Sequence, residues 1–156
     1  MEIILMVGIA GSGKTTLTRL AFPHHEHISL DIIRKLPPGT RQSLLDRFSG
    51  SVEPDGLSMT RRIEHVMMTD AIMGAKNIVV DDTNLTCKIR RRHIELARRH
   101  GYKARVVFFQ NVLRAYGQNR GRRGKDRLED KVLNMQHSQL ESPHKDEGLD
   151  FIQIMY

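Results

Sequence analysis

Gly8-Ile9-Ala10-Gly11-Ser12-Gly13-Lys14-Thr15 decides how this chain is read. The stretch follows an apolar run, Ile3-Ile4-Leu5-Met6-Val7, and leads into Thr16-Leu17-Thr18-Arg19-Leu20, which has helical character. It fits the pattern G-x-x-x-x-G-K-[ST] in the setting that pattern requires, a buried strand before it and a helix after it. Gly8, Gly11 and Gly13 let the backbone curl until successive N–H groups, including that of Ser12, point at one place. The helix start adds unpaired N–H groups and the positive end of its dipole, so anionic phosphates are held there. Lys14 is expected to reach the β- and γ-phosphates of a bound nucleotide. The Thr15 hydroxyl is expected to bind Mg²⁺, with Thr16 completing the cradle.

Working outward, 156 residues fit one domain, and residues 1–156 are read as a single unit. A chain of this size buries about 70% of its unfolded surface, enough for a real core. Met1-Glu2 runs straight into the first strand, so no targeting leader is expected, and no apolar run approaches membrane-spanning length. Cys87 is the sole cysteine, which rules out an internal disulfide and favours a reducing, cytoplasmic setting. The formal charge of +7 favours a polyanionic partner. The plainer account is a generically basic protein, and the charge gains weight only beside a phosphate-transfer site.

The remaining chain alternates strands and helices. A helix is expected from Lys14 to Phe22, ending at Pro23, and a short strand over His27–Leu30. His24, His25 and His27 have no completing ligand pattern and are read as a polar turn rather than a metal site. Asp31 is expected to cap a short helix through Leu36, with Arg34 on the same side of its first turn. Beyond Pro37-Pro38-Gly39 come a helix over Thr40–Phe48, a loop over Ser49–Gly56, and a long helix over Leu57–Met73 that buries Ile63, Val66, Met67, Ala71 and Met73. Asn77–Val80 is expected as a strand ending in Asp81-Asp82, where an apolar strand meets acid as at a metal position. A helix over Cys87–His100, a buried strand over Tyr102–Phe109 and a helix over Leu113–Asn119 follow. Then come the basic segment Arg120–Lys125, a helix over Asp126–Leu140 and a last edge strand over Leu149–Met155. This order implies an α/β fold: a parallel sheet of about four to five strands, helices on both faces, and a ligand at the carboxyl ends of the strands.

Four features should meet at those ends: the glycine loop, Asp31, Asp81-Asp82 and the Arg120–Lys125 segment. Phosphoryl transfer needs such a set. A cradle holds the donor, a metal and arginines neutralise charge, and a carboxylate takes the acceptor's proton. The glycine-flanked pair Arg122-Arg123 suits an arginine-rich lid, about residues 117–127, that closes late and excludes water; the plainer account is a basic surface loop. A GTPase is disfavoured, because no N-K-x-D guanine signature is present.

With those residues in hand, the sequence resembles the polynucleotide 5′-hydroxyl kinase family, phosphotransferases with a P-loop kinase fold. The resemblance rests on Gly8–Thr16, on the D-x-x-R of Asp31 and Arg34, and on Asp82-Thr83-Asn84-Leu85-Thr86 with Arg90 beyond. It continues through Asn119–Arg123 and the tail Leu140-Glu141-x-Pro143…Glu147-Gly148-x-Asp150-x-Ile152. It implies ATP, or another nucleoside triphosphate, as donor with Mg²⁺, and a DNA or RNA 5′-hydroxyl end as acceptor in nucleic-acid repair. It makes Lys14 and Thr15 phosphate and metal contacts, and Asp31 the general base. Arg34, Asp82, Thr83, Asn84 and Arg90 become acceptor-side contacts. Asp81 or Asp82 would reach the metal through water, and Arg122 or Arg123 would steady the transferring phosphoryl group. The chain departs from the family in carrying Leu128-Glu129 where Val-Pro often follows the lid. It has no D-x-D-G-T or K-x-D-G motif of an attached phosphatase or ligase, so a kinase-only form is implied. Two other readings stand beside it. One is a kinase of sugar nucleotides, antibiotics or metabolites; the other is a nucleotide-binding module without catalysis.

Overall fold

The computed structural model describes residues 1–48, 58–124 and 127–156. Five strands form one parallel sheet: β1 (Glu2–Val7), β2 (Glu26–Ile28), β3 (Ile78–Val80), β4 (Lys103–Phe109) and β5 (Phe151–Met155), in the order β2-β3-β1-β4-β5. Seven α-helices are described: α1 (Lys14–Ala21), α2 (Leu30–Lys35), α3 (Pro38–Asp46), α4 (Met59–Met73), α5 (Cys87–Arg99), α6 (Val112–Arg120) and α7 (Asp130–Ser138).

The alternation of β1 explains how two layers of helices attach. Ile3, Leu5 and Val7 join the larger core, with Ile33 of α2, Ile63 and Met68 of α4, and Ile94 and Ala97 of α5. Ile4 and Met6 face the other way and pack with Val79, Val107 and Phe109 against Leu17 of α1. Successive strand residues point to opposite faces, so a continuous apolar run is what a sheet covered on both sides needs. A third, small core lies beneath the glycine loop, where Ile9 meets Leu85, Ala115 of α6 and Leu133 of α7.

β1 and β3 are neighbours whose outgoing connections part, β1 leading to β2 on one side and β3 crossing to β4 on the other. Ligands of open α/β sheets sit in the crevice that such a parting opens. The two strand ends are tied across it: the Gly8 N–H donates to the Thr83 carbonyl at 3.1 Å, and Asn84 Nδ2 donates to the Met6 carbonyl at 2.9 Å.

Several expectations need correction. Asp31 does not cap α2; the cap is Ser29, whose hydroxyl accepts from the Asp31 N–H, and Asp31 lies in the first turn. Met73 is exposed and Met68 takes its place in the core. Helical spacing puts Ile89, His93, Leu96, Ala97 and His100 on one face of α5, but the buried face carries Arg90 beside His93, Ile94 and Ala97, and His100 is exposed. α3 begins at Pro38, which suits a first helical position because its missing N–H is not needed there. α7 begins only at Asp130. The loop expected over Ser49–Gly56, and the ends Leu57, Lys125 and Asp126, lie outside the described residues. No described helix is long and apolar enough to cross a membrane.

Candidate active site

The glycine loop curls as its sequence requires. Gly11 and Gly13 adopt φ of 85° and 96°, left-handed values that cost a side-chain-bearing residue most. A Cβ on Gly11 would lie 2.7 Å from the Ala115 carbonyl, so α6 presses directly on the loop. Lys14 folds back over it, with Nζ donating to the Ile9 carbonyl at 2.8 Å and the Ser12 hydroxyl at 3.3 Å. Thr15 and Thr16 are exposed at the start of α1. Burial pulls the Lys14 ammonium down to about 8; Asp81, Asp82 and Asp31 act to raise it, and Arg122 to lower it. Asp31, Asp81, Asp82 and Arg122 are thus all near enough to act on the Lys14 charge.

Asp31 and Arg34 stand on the open side, 81% and 59% exposed along their side chains, joined by an Nη1–Oδ1 contact of 2.8 Å. Their separation of three along α2 brings them together. Asp82 is largely buried behind them. Its Oδ1 accepts the Leu30 N–H at 3.2 Å, which fixes the turn that carries Asp31. Burial, then the nearby Glu64, push the Asp82 carboxyl up to about 7. Glu64 is fully buried and held by Arg61 at 2.9 Å, with Arg92 at 3.6 Å and His93 at 3.8 Å. His93 is driven down to about 4, chiefly by burial. Asp81 lies beside His27, whose Nε2 is 3.1 Å from its Oδ2. Asp81 Oδ1 and Asp82 Oδ2 are buried with no hydrogen-bond partner among the described residues.

Two expected acceptor contacts are not in the site. Arg90 is fully buried. Its guanidinium grips Glu147 at 2.6 and 2.7 Å and donates to the carbonyls of Asn84, Leu85 and Glu141. Asn84 is buried too, at φ 44°, and spends its amide on Met6 and Val80. Both hold the Asp82–Thr86 loop in shape rather than face a substrate. Thr83 remains half-buried at the crevice. Arg122 and Arg123 are exposed beyond α6, and Arg122 is the one whose charge reaches Lys14.

A cleft of about 220 Å³ opens beside the loop on its α1 side, between Thr16, Leu20, Phe109, Arg114, Gln118 and Tyr156. Nothing in the local sequence marked this group, which comes from four separate parts of the chain. Glu64 was missed for the same reason, and His27, read from the sequence as part of a polar turn, proves to lie against Asp81.

A model of the AAA domain family matches residues 3–143. The chain belongs to that AAA-domain family. No curated protein matches it. Among solved structures, it is similar to a sugar kinase from Janibacter sp., with a TM-score of 0.66 at 15% identity over 99% of this chain and 84% of that one. A gluconokinase from Sinorhizobium meliloti gives 0.62 at 18% identity, covering 98% and 81%. Kti12 from Chaetomium thermophilum, solved with ADP-AlF3, gives 0.59 at 18% identity, covering 98% and 88%. At these identities the likeness establishes the fold alone, that of the P-loop kinases.

Proposed function

We propose that this AAA-domain chain is a phosphotransferase that moves the γ-phosphoryl group of ATP, or another nucleoside triphosphate, to a hydroxyl group. The observation that carries this is the convergence of Asp31, Asp81, Asp82 and Arg122 on Lys14 inside a glycine loop. The loop N–H groups and Lys14 hold the phosphates, and the nucleoside lies in the cleft beside Arg114. The acceptor oxygen attacks the γ-phosphorus, its proton passes to Asp31, and the bond to the β-phosphate oxygen breaks as the diphosphate leaves. Arg122 or Arg123 offsets the charge that spreads over the transferring group.

The residues fit Mg²⁺. The Thr15 hydroxyl is open at the helix start, and Asp81 Oδ1 and Asp82 Oδ2, which has Arg61 at 3.9 Å but accepts no hydrogen bond among the described residues, can accept from metal-bound water. When bound, the ion neutralises charge on the β- and γ-phosphates.

A small hydroxyl-bearing metabolite is the acceptor that the comparisons favour, since the neighbours include a sugar kinase and a gluconokinase. A polynucleotide 5′-hydroxyl end is the second reading. It is supported by the charge of +7 and by the exposed Asp31–Arg34 pair, which a large acceptor can approach from solvent.

The test is transfer from γ-labelled ATP with Mg²⁺ to sugars and sugar acids, nucleosides, and 5′-hydroxyl DNA and RNA, with Asp31→Asn beside the wild type. We expect label on one class of acceptor. Asp31→Asn should cut transfer by roughly 10²–10⁴-fold while ATP still binds, the scale of general-base catalysis. A near-normal rate in Asp31→Asn removes it as the base. ATP binding with no transfer to any class leaves a non-catalytic nucleotide-binding module.

A further inference from the structure

One peptide group in the glycine loop is hydrogen-bonded at both ends. The carbonyl of Ile9 accepts from Lys14 Nζ at 2.8 Å. The N–H of Ala10, the other end of the same peptide plane, donates to Gln136 Oε1 at 2.8 Å, across 126 residues of sequence. Lys14 and Gln136 thus terminate one short chain of hydrogen bonds that runs through a single planar unit. A planar peptide turns as a whole, so fixing its N–H fixes the aim of its carbonyl. Bonds in such a chain also polarise one another.

Gln136 is placed for this by packing. Leu133 is fully buried against Ile9 and Ala115. It lies three positions before Gln136 on α7, so both share the face turned to the loop. Tyr116 of α6 donates its hydroxyl to Asn134, tying α7 to the helix that presses on Gly11. The glutamine amide is therefore carried by an element anchored to the loop at its flank. Its hydrogen bond is also a direct polar contact from α7 to the loop.

We propose that Gln136 is a positioning residue for phosphoryl transfer: by holding the Ala10 N–H it fixes the Ile9–Ala10 peptide on which Lys14 rests, and so sets where the ammonium starts when phosphates arrive. The inference rests on the phosphotransferase reading above. Loss of the Gln136 acceptor leaves the peptide held only at its carbonyl, by Lys14 and by the Ser12 N–H at 3.3 Å, so its N–H end can tilt. Lys14 is then left with the longer contact to Ser12 and a less defined approach to the γ-phosphate, which matters most in the transition state.

The test compares Gln136→Leu, which cannot accept a hydrogen bond, with Gln136→Glu, which can. Three quantities are read: the NMR resonances of the Ala10 amide and Lys14 Nζ without nucleotide, kcat and KM for ATP on the acceptor identified above, and the melting temperature. Gln136→Leu should melt near the wild type and move both resonances. It should lower kcat about three- to tenfold, the scale of one ordinary hydrogen bond, with KM for ATP nearly unchanged. Gln136→Glu should restore kcat while raising KM, because it brings negative charge beside the phosphates. An unmoved Lys14 resonance in Gln136→Leu overturns the proposal, as does an equal kcat loss in both variants. If Gln136→Leu does not fold, Gln136→Met, of the same length and unbranched, takes its place with the same readouts. A wild type that binds ATP and phosphorylates nothing defeats the phosphotransferase reading; the Lys14 resonance, which needs no acceptor, still decides the peptide link.

Discussion

Lys14 carries a positive charge into a place where burial works against it. Its ammonium is drawn down to about 8 from an ordinary 10.5. In the nucleotide-free protein it is charged below that point and increasingly neutral above it. Phosphate oxygens beside it favour the charged form again, so on nucleotide binding Lys14 should take up protons between about pH 8 and 10.5 and almost none at pH 6.5, where any uptake belongs to Asp82. Calorimetry of ATP binding at pH 8.5 in two buffers of different ionisation enthalpy measures this directly. Equal heats in both buffers at pH 8.5 would mean that Lys14 is already fully charged in the free loop. The motif made Lys14 legible as a phosphate ligand. Its depressed affinity for protons comes from the walls around it, which no local pattern describes.

At the scale of elements, Arg90 shows how a correct sequence signal can carry the wrong role. It stands one helical turn beyond Asp82–Thr86, and its position pointed to an acceptor contact. In the fold it is a buried clamp that joins the start of α5, the Asn84–Leu85 backbone and the tail around Glu147. Burial works to raise the Glu147 carboxyl, but hydrogen bonds from Arg90 and from the His144 N–H outweigh it and hold it below its ordinary value. Removing one partner of a buried pair leaves the other uncompensated, at a cost of about 3–5 kcal/mol. Arg90→Met should therefore lower the melting temperature by on the order of 10 °C. In the fraction that stays folded, KM for the acceptor should be unchanged. A normal melting curve with a raised acceptor KM would return Arg90 to the substrate site. The same limit applies to Asn84: its type suits a left-handed turn, but only the meeting of β1 and β3 shows which carbonyls its amide serves.

Across the whole molecule, the charge of +7 is spread over a surface that the phosphate cradle alone does not need. If the acceptor is a polynucleotide, its binding releases counterions and should weaken steeply as salt rises from 50 to 200 mM, while ATP affinity changes much less. A small neutral acceptor should show no such gap. Parallel titrations of ATP and oligonucleotide across that salt range separate the two, and matching salt slopes would count against the polynucleotide.

By itself the sequence determined the alternation of strands and helices, the glycine loop and the parallel sheet, because these depend on periodicity, on glycine's backbone freedom and on residues close together in the chain. Asp31 and Arg34 were legible as a pair for the same reason. Only the tertiary structure decided which of the nearby polar residues face the crevice. It buried Arg90 and Asn84, placed Glu64 behind Asp82, and brought Gln136 onto the loop from 126 residues away. Those outcomes follow from how helices land on a sheet and which polar groups must then be satisfied. Such contacts join residues far apart in the chain, where sequence spacing carries no information about distance.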